Sequence, residues 1–185
     1  MSEIGIGQST AVAGRSFMQR LGGAVRLDPG AFDEIAAEPS ALLQAATVVL
    51  AAAAARAVAV SGIATSTDAA LNGLRVLILW PAASMVLWGV AKWFGHRAGF
   101  GPLLRVVGFA MAPLALAVFQ AVPLPTLVII VSLLATALFF AALVIGVRQA
   151  LRIDTGRAAF VCLATGLTLF FLLMVEIYLT APPQP

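Results

Sequence analysis

Polar residues recur every few positions through the first forty residues of this chain and then almost vanish from five long blocks, residues 41–62, 76–94, 106–122, 126–147 and 158–179. Each block meets the length of roughly 17–25 predominantly apolar residues that a helix needs to cross a bilayer. The pattern predicts five transmembrane helices in an all-α, polytopic integral membrane protein. The third block is the shortest. It ends in "VPLPT", whose prolines cannot continue a helix, so the third and fourth spans are expected to form a hairpin.

The stretch "RSFMQRLGGAVRLDPGAFDEIAAEPS" before the first block has a different rhythm. Phe17, Leu21 and Val25 recur four apart, with Arg15, Gln19, Arg20 and Arg26 on the other faces, the pattern of a short helix lying in the headgroup plane. Asp28 followed by Pro29 has the form of an N-cap with proline at the first helical position, which opens a second short helix to about Ala37. Three regions follow: a cytoplasmic segment of short amphipathic helices at 1–39, a five-helix membrane domain at 40–180, and a periplasmic tail at 181–185.

Composition agrees with the pattern, since 62% of the 185 residues are hydrophobic and 10% charged, against roughly 45–50% and 25% in soluble domains. Charge placement sets the threading. Arg15, Arg20 and Arg26 precede the first span, Lys92, Arg97 and Arg105 flank the second loop, and Arg148, Arg152 and Arg157 flank the fourth, whereas Arg75 stands alone on the other side. By the positive-inside bias the N-terminus is cytoplasmic and the C-terminus periplasmic. No apolar run before the first span could serve as the core of a secretory signal, so that span itself must direct insertion. Ten arginines against one lysine, with abundant alanine, fit a GC-rich bacterial genome and hence a bacterial inner membrane. The net charge of +3 is too dilute for nucleic acid, which needs clustered basic residues on one face. The anionic partner expected is lipid.

Chemistry-bearing residues are sparse. One histidine, His96, and one cysteine, Cys162, supply neither a metal cluster nor a nucleophile with its base, so no enzyme activity, metal or cofactor is expected. Arg148 and Arg152 lie one turn apart, Asp154 or Thr155 can cap the fifth span, and Arg105, Arg148, Arg152 and Arg157 are candidates for a basic pocket that holds anionic headgroups. Pro113 is expected to kink the third span. Trp80, Trp88 and Trp93 are expected as interface anchors or packing groups, Trp80 towards the outer face. The acids Asp28, Asp33, Glu34 and Glu38 are expected to dock on the loops carrying Arg97, Arg105, Arg148, Arg152 and Arg157, helped by Phe32 and Ile35. Two opposite charges lie inside spans, Arg56 and Glu176; either they pair, making the first and fifth helices neighbours, or each snorkels separately to the headgroups. The functional expectation is a membrane scaffold or membrane-organising protein that binds lipid, a membrane-protein partner or a second copy of itself. The alternative is a small permease or ion-conducting protein, which would need a hydrated path past Gln120, Ser132 and Thr136, the polar residues of the third and fourth spans.

Three motifs, "LDPGAFDEIAAEPSALLQAATVV" entering the first span, "LLRVVGFAMAP" opening the third and "GVRQALRIDTGRAA" joining the fourth to the fifth, resemble the prokaryotic branch of the Yip1 domain family over about residues 17–165. The resemblance implies five spans with the N-terminus inside. The family's eukaryotic members are secretory-pathway membrane proteins that associate with small GTPases and help to shape or traffic membranes. "LDPGAF" is placed like their acidic, aromatic and Gly-Pro motif without matching it, so GTPase binding is not implied here.

Overall fold

The computed structural model describes residues 15–61, 65–96, 99–122 and 124–180, without the side chains of 61, 173 and 175–180. Two short helices precede the membrane bundle, α1 (Phe17–Val25) and α2 (Pro29–Ala37). Both begin on side-chain caps. Ser16 and Gln19 form a reciprocal capping box for α1, and the Asp28 carboxylate accepts from Gly30 N–H at the start of α2, where Pro29 sacrifices no hydrogen bond. Between them the chain reverses through Leu27, whose φ of 61° is left-handed, and Asp28 N–H donates to the Gly23 carbonyl.

The spans are α3 (Ala41–Ser61), α4 (Ser66–Trp93), α5 (Phe100–Ala110) continued by a 3-10 segment (Ala112–Ala121), α6 (Pro125–Leu151) and α7 (Thr155–Thr180). All five are long and apolar enough to cross a membrane. Four are longer than their apolar blocks. α4 starts ten residues before its block, on a Thr65–Asp68 capping box, and carries Asn72 and Arg75 on its first turns. α5 includes Arg105 and α6 includes Arg148. The apolar block marks the part of a helix that meets hydrocarbon, whereas the backbone ladder continues until a cap or turn residue stops it.

The earlier start of α4 moves Trp80 from the outer rim to the middle of its helix. Its indole N–H donates to the Leu104 carbonyl at 2.8 Å, which ties α4 to α5. Trp80 is therefore a packing group. Trp93, 88% exposed at the other end of α4, keeps an anchor's position.

α5 is the axis of the bundle. Every side chain from Val106 to Met111 is buried, because α5 packs on α3, α4, α6 and α2 at once. Close approach is set by two glycines. A Cβ on Gly108 would stand 2.8 Å from Ala45 Cβ on α3, and one on Gly146 of α6 would collide with Val106 Cγ1 and stand 3.0 Å from Phe32 Cδ1. α7 packs outside, against α4 and α6.

The main core lies at the end of the bundle that carries α1 and α2, where Phe32 and Ile35 are fully buried among Val106, Leu103 and Val147. The opposite end holds a small cluster of alanines, Ala55, Ala59 and Ala117. One end is tightly packed and the other loosely.

Residues 28–38 dock on the bundle, but mainly through apolar residues: of the expected acids Glu38 interacts electrostatically with Arg105, without a direct ion pair. α2 packs on α5 and α6 with its apolar face, while Asp28 and Glu34 turn back to α1. Arg15 Nη1 meets Asp28 Oδ2 at 2.8 Å, and Arg20, almost wholly buried, places Nη2 2.9 Å and Nε 3.1 Å from Glu34 Oε1 while Nη1 donates to Gln44 Oε1 at 3.0 Å. These pairs were missed because the partners lie 13 and 14 residues apart across a left-handed turn that sequence patterning does not reveal. Phe17 packs edge-to-face on Phe109 with centroids 6.3 Å apart and Leu21 lies against the core, while Val25 remains exposed.

Two outcomes follow. Gly146→Ala overpacks the contact of α2, α5 and α6 and is expected to destabilise by about 1–3 kcal/mol, whereas Gly166→Ala, with nothing within 4 Å of the added carbon, should be neutral or stabilising by about 0.5–1 kcal/mol; unfolding in mixed micelles distinguishes them. The second concerns pH. The hydrogen bond from Arg15 holds the Asp28 carboxyl below its ordinary value of 3.8, so its contribution is complete above pH 3.8 and is lost as pH falls through the lower folded value. Amide exchange in α1 and the first turn of α2 should accelerate there relative to α5, and Asp28→Asn should remove that acid dependence.

Candidate functional site

At the packed end, Arg105 leaves the first turns of α5 and points under α2. Its Nε donates to the Ile35 carbonyl at 3.1 Å and its Nη2 makes a short hydrogen bond to the Ala36 carbonyl, two of the groups that a helix C-terminus leaves without intrahelical partners. A cation at that position also complements the negative end of the helix dipole. Arg105 is 8% exposed. The structure thus separates it from Arg148, Arg152 and Arg157, which are all exposed.

Those three arginines surround the α6–α7 turn. Arg152 ends α6 with φ 52° and ψ 48°, a left-handed cap in which its N–H donates to Arg148 O and Gln149 O. Asp154 caps α7, its carboxylate accepting from Arg157 N–H at 3.1 Å and standing 3.2 Å from Arg157 Nε. The hydrogen bond from the Arg157 backbone N–H holds the Asp154 carboxyl below the usual carboxylate range. Both side chains are well exposed, so the pair adds little to stability.

Beside this turn is an open cleft of about 580 Å³ lined by Phe94, His96, Asp154, Arg157, Phe160 and Val161. Phe94 and Phe160 meet edge-to-face at 5.5 Å, giving the cleft an apolar wall below its charged rim. His96 and the two phenylalanines could not be placed here from sequence, since they come from the end of α4 and the second turn of α7 and share no periodic pattern. Nearby, Lys92 Nζ sits 4.2 Å above the Trp88 ring, which stands edge-on to Phe100. Arg97 lies outside the described residues.

At the loosely packed end, Arg56 Nη1 donates to Gln120 Oε1 at 3.4 Å, Gln120 Nε2 donates to Ser132 Oγ at 3.1 Å, and Ser132 Oγ donates to the Val128 carbonyl at 2.6 Å. This chain joins α3, the 3-10 segment and α6. Sequence analysis singled out each residue but not their union, because the register of the third span depends on a change of helix type. The α-helix stops at Ala110, the chain turns at Met111, and Pro113 stands in the first turn of a 3-10 segment that runs to Ala121. Pro113 therefore marks the change from α to 3-10 geometry. The Glu176 side chain lies outside the described residues.

Two buried hydroxyls inside the spans are satisfied locally. Ser84 Oγ donates to Trp80 O, and Thr165 Oγ1 donates to Val161 O, each one turn back along its own helix. Cys162 is buried and free. Among the described residues no three His, Cys, Asp or Glu side chains are grouped to hold a metal.

No curated protein and no solved structure is similar enough to this chain to count as a match. The family model of the Yip1 domain matches residues 24–177, from the end of α1 through α7, and so takes in α2, the five spans and both ends of the bundle described above. The chain is a multi-pass membrane protein that belongs to the Yip1 domain family.

Proposed function

We propose that this chain is a bacterial inner-membrane scaffold of the prokaryotic branch of the family, with its N-terminus cytoplasmic and its C-terminus periplasmic, which organises membrane by holding anionic lipid without catalysing a reaction. The observation that carries the reading is the arrangement at the α6–α7 turn. Arg148, Arg152 and Arg157 are exposed there, beside a cleft with a charged rim and a Phe94–Phe160 wall. Charge at the rim and apolar surface below suit a phospholipid, whose phosphate meets arginine while its acyl chains lie along the helices. Arg105, spent on the α2 carbonyls, holds the platform in place beside the lipid rather than binding it.

A permease would need polar groups facing a hydrated path at successive depths, whereas the buried hydroxyls of Ser84 and Thr165 bond back to their own helices. Between the Arg56–Gln120–Ser132 level and the packed end, the axis of the bundle is an unbroken run of buried apolar residues from Val106 to Met111. That supports a scaffold over a conduit. A membrane-protein partner or a second copy of the chain would use the apolar outer faces of α4, α6 and α7, where Leu133, Leu167 and Phe171 are among the exposed side chains.

The test is retention of lipid by the full chain purified gently from membranes. Native mass spectrometry should find anionic phospholipid retained in preference to phosphatidylcholine, and the double variant Arg148→Gln, Arg152→Gly should lose most of that preference. Arg152→Gly alone should leave thermal stability unchanged or raised, since glycine adopts the left-handed cap without the strain of roughly 1–2 kcal/mol that other residues bear. A wild-type chain without lipid preference, or a double variant that retains it, would sink the reading.

A further inference from the structure

The loosely packed end of the bundle contains a cleft of about 280 Å³ between α3, α4, the 3-10 segment and α6. It is a consequence of helix geometry. Leu114, Ala117 and Gln120 line it at intervals of three, and in a 3-10 helix with three residues per turn such positions stack in one row. In an α-helix, at 3.6 residues per turn, Gln120 would have rotated about 120° away from Leu114. The 3-10 segment Ala112–Ala121 is thus what presents the Gln120 amide to the cleft. Arg56 reaches it from the next turn of α3 after Ala52, and Ser132 and Thr136 from adjacent turns of α6. Of the five apolar lining residues three are alanines, Ala52, Ala117 and Ala135, beside Val76 and Leu114, and these small side chains leave the space unfilled.

The hydrogen bonds in the cleft run in one direction. Gln120 Oε1 already accepts from Arg56, Ser132 Oγ already accepts from Gln120, and the Ser132 proton is given to Val128 O. A guanidinium has five N–H donors and no acceptor, and among the described residues a single contact of 3.4 Å to a neutral amide uses one of them. What remains is a surplus of donors around a positive charge, with no carboxylate among the described lining residues. A cation inside a span is costly to insert, and such residues face a partner, a cavity or the interface. Here Arg56 faces a cavity.

We propose that this cleft binds an oxyanion, the phosphate of a phospholipid headgroup or free phosphate, through Arg56, with Gln120 and Ser132 orienting the guanidinium and Thr136 available as a further donor. The site is distinct from the arginines of the α6–α7 turn, which lie at the opposite end of the bundle. Arg56 is five residues from the end of α3 and Ser132 seven from the start of α6, or about 8–10 Å below the helix ends at 1.5 Å per residue. A headgroup phosphate is therefore drawn inward by about two helical turns, or a small anion enters from the aqueous side. The cleft is smaller than the roughly 300–1,000 Å³ of pockets for drug-sized ligands, which suits one anionic group and not a whole lipid.

The test uses the full chain in uncharged detergent, with the triple variant Arg148→Gln, Arg152→Gly, Arg157→Gln as background so that none of the three arginines of the α6–α7 turn remains. Phosphatidylglycerol, phosphatidylcholine and inorganic phosphate are titrated separately, with one-to-one adducts counted by native mass spectrometry and the thermal midpoint recorded. The background protein should bind one equivalent of phosphatidylglycerol or of inorganic phosphate, and adding Arg56→Gln should weaken that binding at least tenfold. Adducts with phosphatidylglycerol alone identify a lipid-borne phosphate, and adducts with inorganic phosphate identify a soluble anion; both support the site. Gln120→Leu, which keeps the cation and removes the amide that orients it, should weaken binding several-fold and carries the test if Arg56→Gln does not fold. Equal affinity with and without these substitutions, equal binding of phosphatidylcholine and phosphatidylglycerol with no phosphate adduct, or no binding of any probe to the background protein overturns the proposal. Because the rim arginines are absent throughout, failure here leaves the reading of the α6–α7 turn untouched.

Discussion

The hydrogen bonds from Arg105 to the last carbonyls of α2 are the contact on which the packed end depends. A buried guanidinium needs acceptors, and a helix C-terminus needs donors, so each group removes the other's penalty. With α2 held there, Phe32 can enter the space that Gly146 leaves beside Val106, and Ile35 can close over Leu103. α1 is then fixed through Arg20, whose guanidinium bridges Glu34 of α2 and Gln44 of α3. The short helices are thereby part of the core and not a loosely tethered tail.

Among the described residues the opposite end has no equivalent. Its helices meet through alanines, and an interhelical chain of hydrogen bonds there runs from Arg56 through Gln120 to Ser132. A bundle built this way is rigid where it meets one interface and open where it approaches the other. Such an asymmetry accords with the two proposed sites, lipid at one rim and an anion at the other, because a cleft persists only where side chains are too small to fill it.

Much of this was legible in the sequence because membrane proteins write their spans in composition. Five apolar blocks predicted five helices, and Asp28 with Pro29 marked the start of α2 to the residue. Helix ends were less legible, since Thr65 and Asp68 cap α4 well outside its apolar block. Partnership was least legible of all. Arg105 looked like one basic residue among several, yet its acceptors are backbone carbonyls, which no side-chain pattern encodes. Similarly, Gln120 could be joined to Arg56 only through the register of a 3-10 segment, and Pro113 announced a break without revealing its geometry.

The claim that Arg105 holds α2 to the bundle can be measured directly by amide hydrogen exchange in lipid nanodiscs on Arg105→Met, which keeps the length of the side chain and removes its donors. A hydrogen bond to a charged group contributes about 1.5–3 kcal/mol. Residues 29–37 should therefore exchange at least tenfold faster than in the unsubstituted protein, with protection in α5 and α6 beyond the first turns unchanged. Unaltered protection of α2 would contradict the account, and would mean that Phe32 and Ile35 suffice to hold it.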